Sequence, residues 1–166
     1  MRARLPPFVV EEAGRDDVEA LVALERRCYT HPWTARGFRD ALRRGERGLV
    51  VVARAPADDG AERGILGYCV IETVADELHV HNLAVRPESR GGGLGRLLLE
   101  LALSAGLRRG ARVALLEVRE SNRPALELYR SMGFAPVALR RNYYSQPLED
   151  ALVLRKEGLG GPRDEP

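Results

Sequence analysis

Arg86-Pro87-Glu88-Ser89-Arg90-Gly91-Gly92-Gly93-Leu94-Gly95-Arg96 stands between two segments of different period. Before it, Glu77 to Val85 reads as a strand. After it, Gly93 to Arg109 carries Leu94, Leu97, Leu98, Leu101 and Ala105, an apolar stripe at helical spacing. A strand, a glycine-rich loop and a helix in that order gather backbone N–H groups and a helix N-terminus around one point. That is an anion site suited to a pyrophosphate. Two better-known phosphate loops fail on spacing. A G-x-G-x-x-G loop needs glycine where Arg96 or Leu98 stands, and a Walker loop needs a lysine that the stretch lacks. The expected ligand carries phosphates but is neither a Rossmann dinucleotide nor a P-loop nucleotide. A tight glycine turn with no ligand is the plain alternative.

Outward from the loop, the rest of the chain falls into a regular order. Phe8 to Glu12 reads as a short first strand, and Asp16 to Cys28 as a helix with Asp16 or Asp17 placed to cap it. Thr34 caps a second short helix running to about Arg43. Gly48 to Arg54 and Gly64 to Val74 are strands joined across Ala55 to Arg63, and Ala75-Asp76 turns into Glu77 to Val85. Val113 to Val118 is a strand and Arg123 to Met132 a helix, with Asn122 placed to cap its start and Gly133 as its left-handed cap. Phe134 to Arg140 and Leu148 to Lys156 are two last strands across an Arg141–Pro147 loop, and Gly158 to Pro166 reads as a flexible tail. The order β-α-α-β-β-β-α-β-α-β-β predicts one α/β domain over residues 1–157, a mixed sheet with helices on both faces.

Composition excludes several classes of function. At 166 residues, 45% hydrophobic and 30% charged, the chain is long enough to bury a core without staples. Its longest apolar runs span about five residues, which predicts no membrane span. The N-terminal Met1-Arg2-Ala3-Arg4-Leu5-Pro6-Pro7 lacks the apolar stretch of a secretory signal. Cys28 and Cys69 are far apart, so neither a disulfide framework nor a zinc knuckle fits, and a reduced cytoplasmic protein is expected. Basic and acidic residues, 26 against 24, are interleaved without the stripe of a nucleic-acid binder. All the basic residues but Lys156 are arginine, which reads as coding bias rather than as a phosphate site. His79 and His81 share a strand face but have no third ligand at metal spacing, so no metal is expected. His81 lining a substrate pocket, or two solvated strand positions, are the remaining readings. The cysteines read as small buried hydrophobes.

Three ordered motifs resemble one family. Arg90-Gly91-Gly92-Gly93-Leu94-Gly95 fits the Q/R-x-x-G-x-G/A signature of the GNAT N-acetyltransferases. The preceding Asn82-Leu83-Ala84-Val85 and the later Asn122-Arg123-Pro124-Ala125-Leu126-Glu127-Leu128-Tyr129-Arg130-Ser131-Met132-Gly133-Phe134 match too, and the resemblance covers residues 8 to 156. Leu116-Glu117-Val118-Arg119-Glu120-Ser121-Asn122, Arg140-Arg141-Asn142-Tyr143-Tyr144 and His31-Pro32-Trp33-Thr34 are similar to the ribosomal-protein-alanine N-acetyltransferase (RimI) branch. The resemblance implies a mostly antiparallel sheet of about seven strands flanked by about four helices, with acetyl-coenzyme A as co-substrate. It implies a protein N-terminus as acceptor, the alanine of a small-subunit ribosomal protein. By the same matching, Glu117 is the proton acceptor and Tyr129 the proton donor. Leu83, Ala84, Val85, Arg90, Gly91, Gly92, Gly93, Leu94, Gly95, Arg96 and Asn122 contact the cofactor, with Tyr129 at its sulfur.

The chemistry is consistent from below. A protein α-amine, at a reference pKa of about 7.7–8.0, is roughly one unit from neutral at pH 7, where lysine at about 10.4 is more than three units away. A modest base such as Glu117, acting directly or through a water, suffices for the former. A phenol near 10 gives its proton uphill to a thiolate whose acid is near 8.5, so Tyr129 is expected to stabilise the thiolate by a hydrogen bond. Glu117 as a solvated strand-end carboxylate and Tyr129 as a core residue are the bland alternatives. A small amine or lysine acceptor, and a non-catalytic acyl-CoA sensor, are the rival functions. Glu25, Asp40, Glu149 and Asp150 are the acidic residues available to a basic peptide. The Ser145-Gln146-Pro147 loop is shorter, and the Ala55–Arg63 loop longer, than the branch leads one to expect.

Overall fold

A computed structural model describes residues 7–56 and 64–161. Seven strands alternate with four helices in the predicted order: β1 (Val9–Glu12), α1 (Val18–Cys28), α2 (Ala35–Leu42), β2 (Gly48–Arg54), β3 (Ile65–Val74), β4 (Glu77–Val85), α3 (Leu94–Arg108), β5 (Val113–Arg119), α4 (Arg123–Ser131), β6 (Ala135–Tyr144) and β7 (Glu149–Lys156). The sheet runs β1-β2-β3-β4-β5-β7-β6. β4 and β5 are parallel, while β1–β2, β5–β7 and β6–β7 are antiparallel. This is the mixed, mostly antiparallel α/β architecture expected. The centre of the long hairpin loop lies outside the described residues, as does the chain end beyond Gly161. Two compact units divide the chain, one holding it up to Ile71 with Asn82–Ala102, the other Glu72–His81 with Leu103 onward.

In the first unit, Leu21, Leu24, Phe38, Val50, Val52, Tyr68 and Val70 are buried together as one core. Phe38 meets Tyr68 edge-on at 5.5 Å between ring centres and Trp33 at 5.4 Å. Thr34 caps α2 as predicted, its hydroxyl accepting the Gly37 N–H at 3.3 Å. The other cap is corrected. Asp17 sits at the N-cap of α1, but its carboxylate makes no cap bond; it takes the Gly14 N–H at 2.7 Å and an Arg54 nitrogen at 2.7 Å. Arg54 also pairs with Glu11, so a nearly buried guanidinium collects two carboxylates where β1, β2 and α1 begin or end. Gly67 is glycine for space: a Cβ there would sit 2.9 Å from the Ala84 carbonyl oxygen and 3.0 Å from Leu98 Cδ1. Its absence lets α3 lie close against the sheet where the glycine loop opens.

Along α3, Leu94, Leu98, Leu99, Ala102 and Ala105 are buried, and Leu101 is 37% exposed. The buried stripe keeps Leu94, Leu98 and Ala105 of the predicted one and takes in Leu99 and Ala102, with Leu97 at its margin and Leu101 outside it. In the second unit Gly106 meets Leu78, whose Cδ2 lies 2.7 Å from a notional Cβ. β5 pairs with β7 from Ala114↔Lys156 to Arg119↔Ala151. The expected Arg141–Pro147 loop is mostly strand: β6 runs on to Tyr144, with a register shift between Arg140 and Tyr144. Asn142 makes this possible by taking a φ of 53° and giving its N–H to Asp150 Oδ1 at 2.8 Å. Gly158–Gly161 forms a turn whose Leu159 N–H reaches the Arg112 carbonyl at 3.0 Å.

Candidate active site

In the first unit, the candidate residues begin where β4 ends. The Arg86 N–H bonds to the Leu66 carbonyl at 2.8 Å, a short 3-10 turn over Pro87–Ser89 follows, and Ser89 is buried beneath the loop. Gly91 and Gly93 take φ of +82° and +92°, conformations that L side chains resist. The chain thereby reverses and delivers Leu94, 1% exposed, into the core as the first residue of α3. The opening N–H groups of a helix have no partner within it, and they emerge here beside the glycines. Arg90 is turned back on the chain: its Nε donates to the Val85 carbonyl at 2.9 Å and Nη2 reaches Cys28 Sγ at 3.5 Å. Two of its nitrogens are thus spent on the ends of β4 and α1 rather than held out toward phosphates. Glu88 ties the loop to α1 through Arg27, and it also meets Arg86 at 3.3 Å.

The other candidates lie in the second unit. Glu117 stands opposite Val153 on β5, half-buried, with Oε1 3.5 Å from Arg140 Nη2. Arg119, two residues on, lies over the Tyr144 ring at 4.2 Å and meets Glu149 at 3.3 Å. Glu149 in turn accepts the Ser121 N–H at 2.6 Å and its hydroxyl at 3.0 Å, and these bonds hold its carboxyl below the usual range. The loop from β5 to α4 is thereby fixed, and Asn122 caps α4 as predicted, Oδ1 accepting the Ala125 N–H at 3.3 Å. The cap uses one lone pair of that oxygen and leaves the Asn122 side-chain N–H groups to meet a cofactor. Two turns on, Tyr129 is 8% exposed, its ring edge-on to Phe134 at 5.9 Å.

Sequence reasoning missed two neighbours of Glu117. Arg140 and Tyr144 were visible only as members of a motif, because strand register, which brings them close, is not written in local periodicity. Burial first, then Tyr143 and Glu117, push the Tyr144 phenol up to about 12. Tyr144 therefore stays neutral, a donor, through the whole working range. A spectrophotometric titration is expected to show the Tyr144 phenol ionising about two units late. Because the folded value is raised, stability is full below pH 10 and declines toward pH 12. The Tyr144→Phe protein should lose the late step.

The remaining candidates separate cleanly. The His79 and His81 rings stack at 6.1 Å, and each holds its own carboxylate, Glu77 at 3.0 Å and Glu72 at 3.1 Å. Among the described residues no group of three or more His, Cys, Asp or Glu is arranged to hold a metal. Cys69 is fully buried and burial pushes its thiol up to about 12, which suits a packing role. Of the four acids offered to a basic peptide, Glu25 is corrected: it is 1% exposed and faces the core. Asp40 lies near Arg36 and Arg43, Asp150 holds Asn142, and Glu149 holds Ser121. No described helix is long and apolar enough to cross a membrane.

The family model described as the acetyltransferase (GNAT) family matches residues 18–134. The chain belongs to the GNAT acetyltransferases. Among this GNAT enzyme's relatives, the ribosomal protein bS18-alanine N-acetyltransferase of Salmonella typhimurium is 36% identical over 140 residues, 83% of this chain and 89% of the relative. The enzyme of the same name from Escherichia coli K12 is 35% identical over 140 residues, with the same coverage of 83% and 89%. The crystal structure of the ribosomal-protein-S18-alanine N-acetyltransferase from Escherichia coli superposes with a TM-score of 0.81 at 30% identity, covering 96% of this chain and 99% of that one. The protein is an N-acetyltransferase that takes its acetyl group from acetyl-CoA.

Proposed function

We propose that this GNAT enzyme acetylates the N-terminal α-amine of a protein in the cytoplasm, the alanine of a small-subunit ribosomal protein, by direct attack in a ternary complex. The observation that carries this reading is the likeness, at 35–36% identity over 83% of the chain, to two enzymes named for that reaction. The loop from Arg90 to Arg96 would hold the pyrophosphate of acetyl-CoA on its backbone amides and on the first turn of α3. The Arg90 side chain contributes by stiffening the loop, since it holds the Val85 carbonyl. Leu83–Val85 and Asn122 would contact the rest of the cofactor, and a backbone N–H near Leu83 would polarise the thioester carbonyl.

Glu117 takes the proton of the attacking amine, and Tyr129 hydrogen-bonds the leaving thiolate. A modest base suffices for this substrate, since bringing an α-amine to neutrality at pH 7 costs about 1.4 kcal/mol, against about 4–5 kcal/mol for lysine. The cysteines take no part, and acetyl transfer is in a single displacement.

Free-thiol release from acetyl-CoA tests the acceptor, with three amines: a peptide beginning with alanine, the same peptide blocked at its N-terminus but bearing a lysine, and a small polyamine. Turnover with the free N-terminus alone is the expected outcome. Turnover with lysine or polyamine alone would overturn the acceptor and leave the fold and the donor in place. No turnover with any, alongside measurable acetyl-CoA binding, would favour a sensor.

A further inference from the structure

The C-terminal end of α1 grips the end of β4 at several points. Glu25 accepts the Asn82 side-chain N–H at 3.0 Å and a hydrogen bond from the Tyr68 hydroxyl on Oε2, and the Trp33 N–H at 3.0 Å on Oε1. Burial pushes its carboxyl upward against the pull of these donors. One turn later the Tyr29 hydroxyl donates to the Leu83 carbonyl, and Cys28 Sγ lies 3.6 Å from the Val85 carbonyl that Arg90 also holds. A strand needs none of this to persist, and these bonds fall on Asn82, Leu83 and Val85 together.

Strand geometry gives the grip a consequence. The N–H and C=O of one strand residue leave the backbone on the same edge, which is why paired residues exchange both bonds. A phenol fixed on the Leu83 carbonyl therefore also sets the direction of the Leu83 N–H. Asn82, one residue earlier, is held through its side chain by a buried carboxylate, so the backbone is fixed on both sides of that amide.

We propose that Tyr29 and Glu25 are positioning residues for acetyl transfer, holding Asn82 and Leu83 so that the Leu83 N–H is aimed at the thioester oxygen. The inference rests on the reading of Leu83–Val85 as the acetyl-CoA strand. In this role each acts through the β4 backbone. A donor misaimed by a few tenths of an ångström weakens a bond that matters most when the oxygen gains charge, so the effect belongs on kcat.

Tyr29→Phe deletes one hydroxyl and keeps the ring, so the fold is retained. It is expected to lower kcat about tenfold, the scale of one hydrogen bond, with KM for acetyl-CoA within about twofold. Glu25→Gln keeps an acceptor for the Trp33 N–H and can restore the rest if the Asn82 amide flips, so a smaller loss is expected. Glu25→Asp, too short to span the donors, should lose more than Glu25→Gln. A Tyr29→Phe enzyme with kcat within twofold of the parent overturns the proposal, as does a loss confined to KM. Hydrogen exchange of residues 82–85 in the parent enzyme, with and without acetyl-CoA, separates the two readings. Protection by acetyl-CoA supports the strand assignment whatever the variants do. Its absence removes that assignment and the positioning role with it.

Discussion

Replacing Glu117 by glutamine is expected to lower kcat with an alanine-terminal peptide by about 10²–10³-fold at pH 7, the range that a positioned general base supplies. Binding of acetyl-CoA should be unchanged, since the carboxylate is assigned to the amine and not to the cofactor. The pH dependence sharpens the test. Below about pH 8 the α-amine arrives protonated and needs the base; above it most of the amine is already neutral. The deficit of Glu117→Gln should therefore narrow as pH rises toward 9. A deficit that stays constant with pH would mean that Glu117 orients the acceptor rather than taking its proton. Stability should barely move, because the lost partner, Arg140, lies half in solvent at 3.5 Å and such pairs contribute about 1 kcal/mol or less. A calorimetric scan checks that arm.

Tyr129→Phe is the second large effect. The ring keeps its edge-on contact with Phe134, so folding should survive with a loss on the order of 1 kcal/mol. The hydroxyl is what the thiolate needs, and removing one donor to a developing anion typically costs about 10²–10³-fold in kcat. An acyl-CoA analogue with a more acidic thiol should recover part of the rate, because its leaving group needs less help. Equal losses with both donors would assign Tyr129 to the core alone. The two substitutions act on opposite ends of the same transfer, one on the entering proton and one on the leaving sulfur.

The reading of the sequence was most accurate where a local pattern and a burial pattern coincide. β2 and β4 have the expected bounds, Gly48–Arg54 and Glu77–Val85, and Thr34 and Asn122 cap their helices because their side chains act on the next turn of backbone. It failed where structure depends on partners distant in sequence. Asp17 is an acceptable cap by type, but Arg54, brought to it by the pairing of β1 with β2, draws its carboxylate away. β6 carries no buried residue, so its extension through Arg141–Tyr143 left no periodic signal; β7 pairs with it at Arg140 and again at Tyr144, and the Asp150 carboxylate takes the Asn142 N–H between them. Glu117 could be picked out from its motif, yet Arg140 beside it could not, since only register joins them. Glu25 looked like a surface acid until Trp33, Tyr68 and Asn82 were seen to satisfy its oxygens.

The glycines of the loop differ in kind from the one beneath it. Gly67 is small because Ala84 and Leu98 leave no volume for a Cβ. Gly91 and Gly93 have nothing within 4 Å of a notional Cβ, and only the sign of φ holds them to glycine. What the loop demands is thus chirality and not size. A mirror-image alanine introduced by chemical synthesis would match the backbone angle at either place, where its ordinary counterpart would strain the turn by roughly 1–2 kcal/mol.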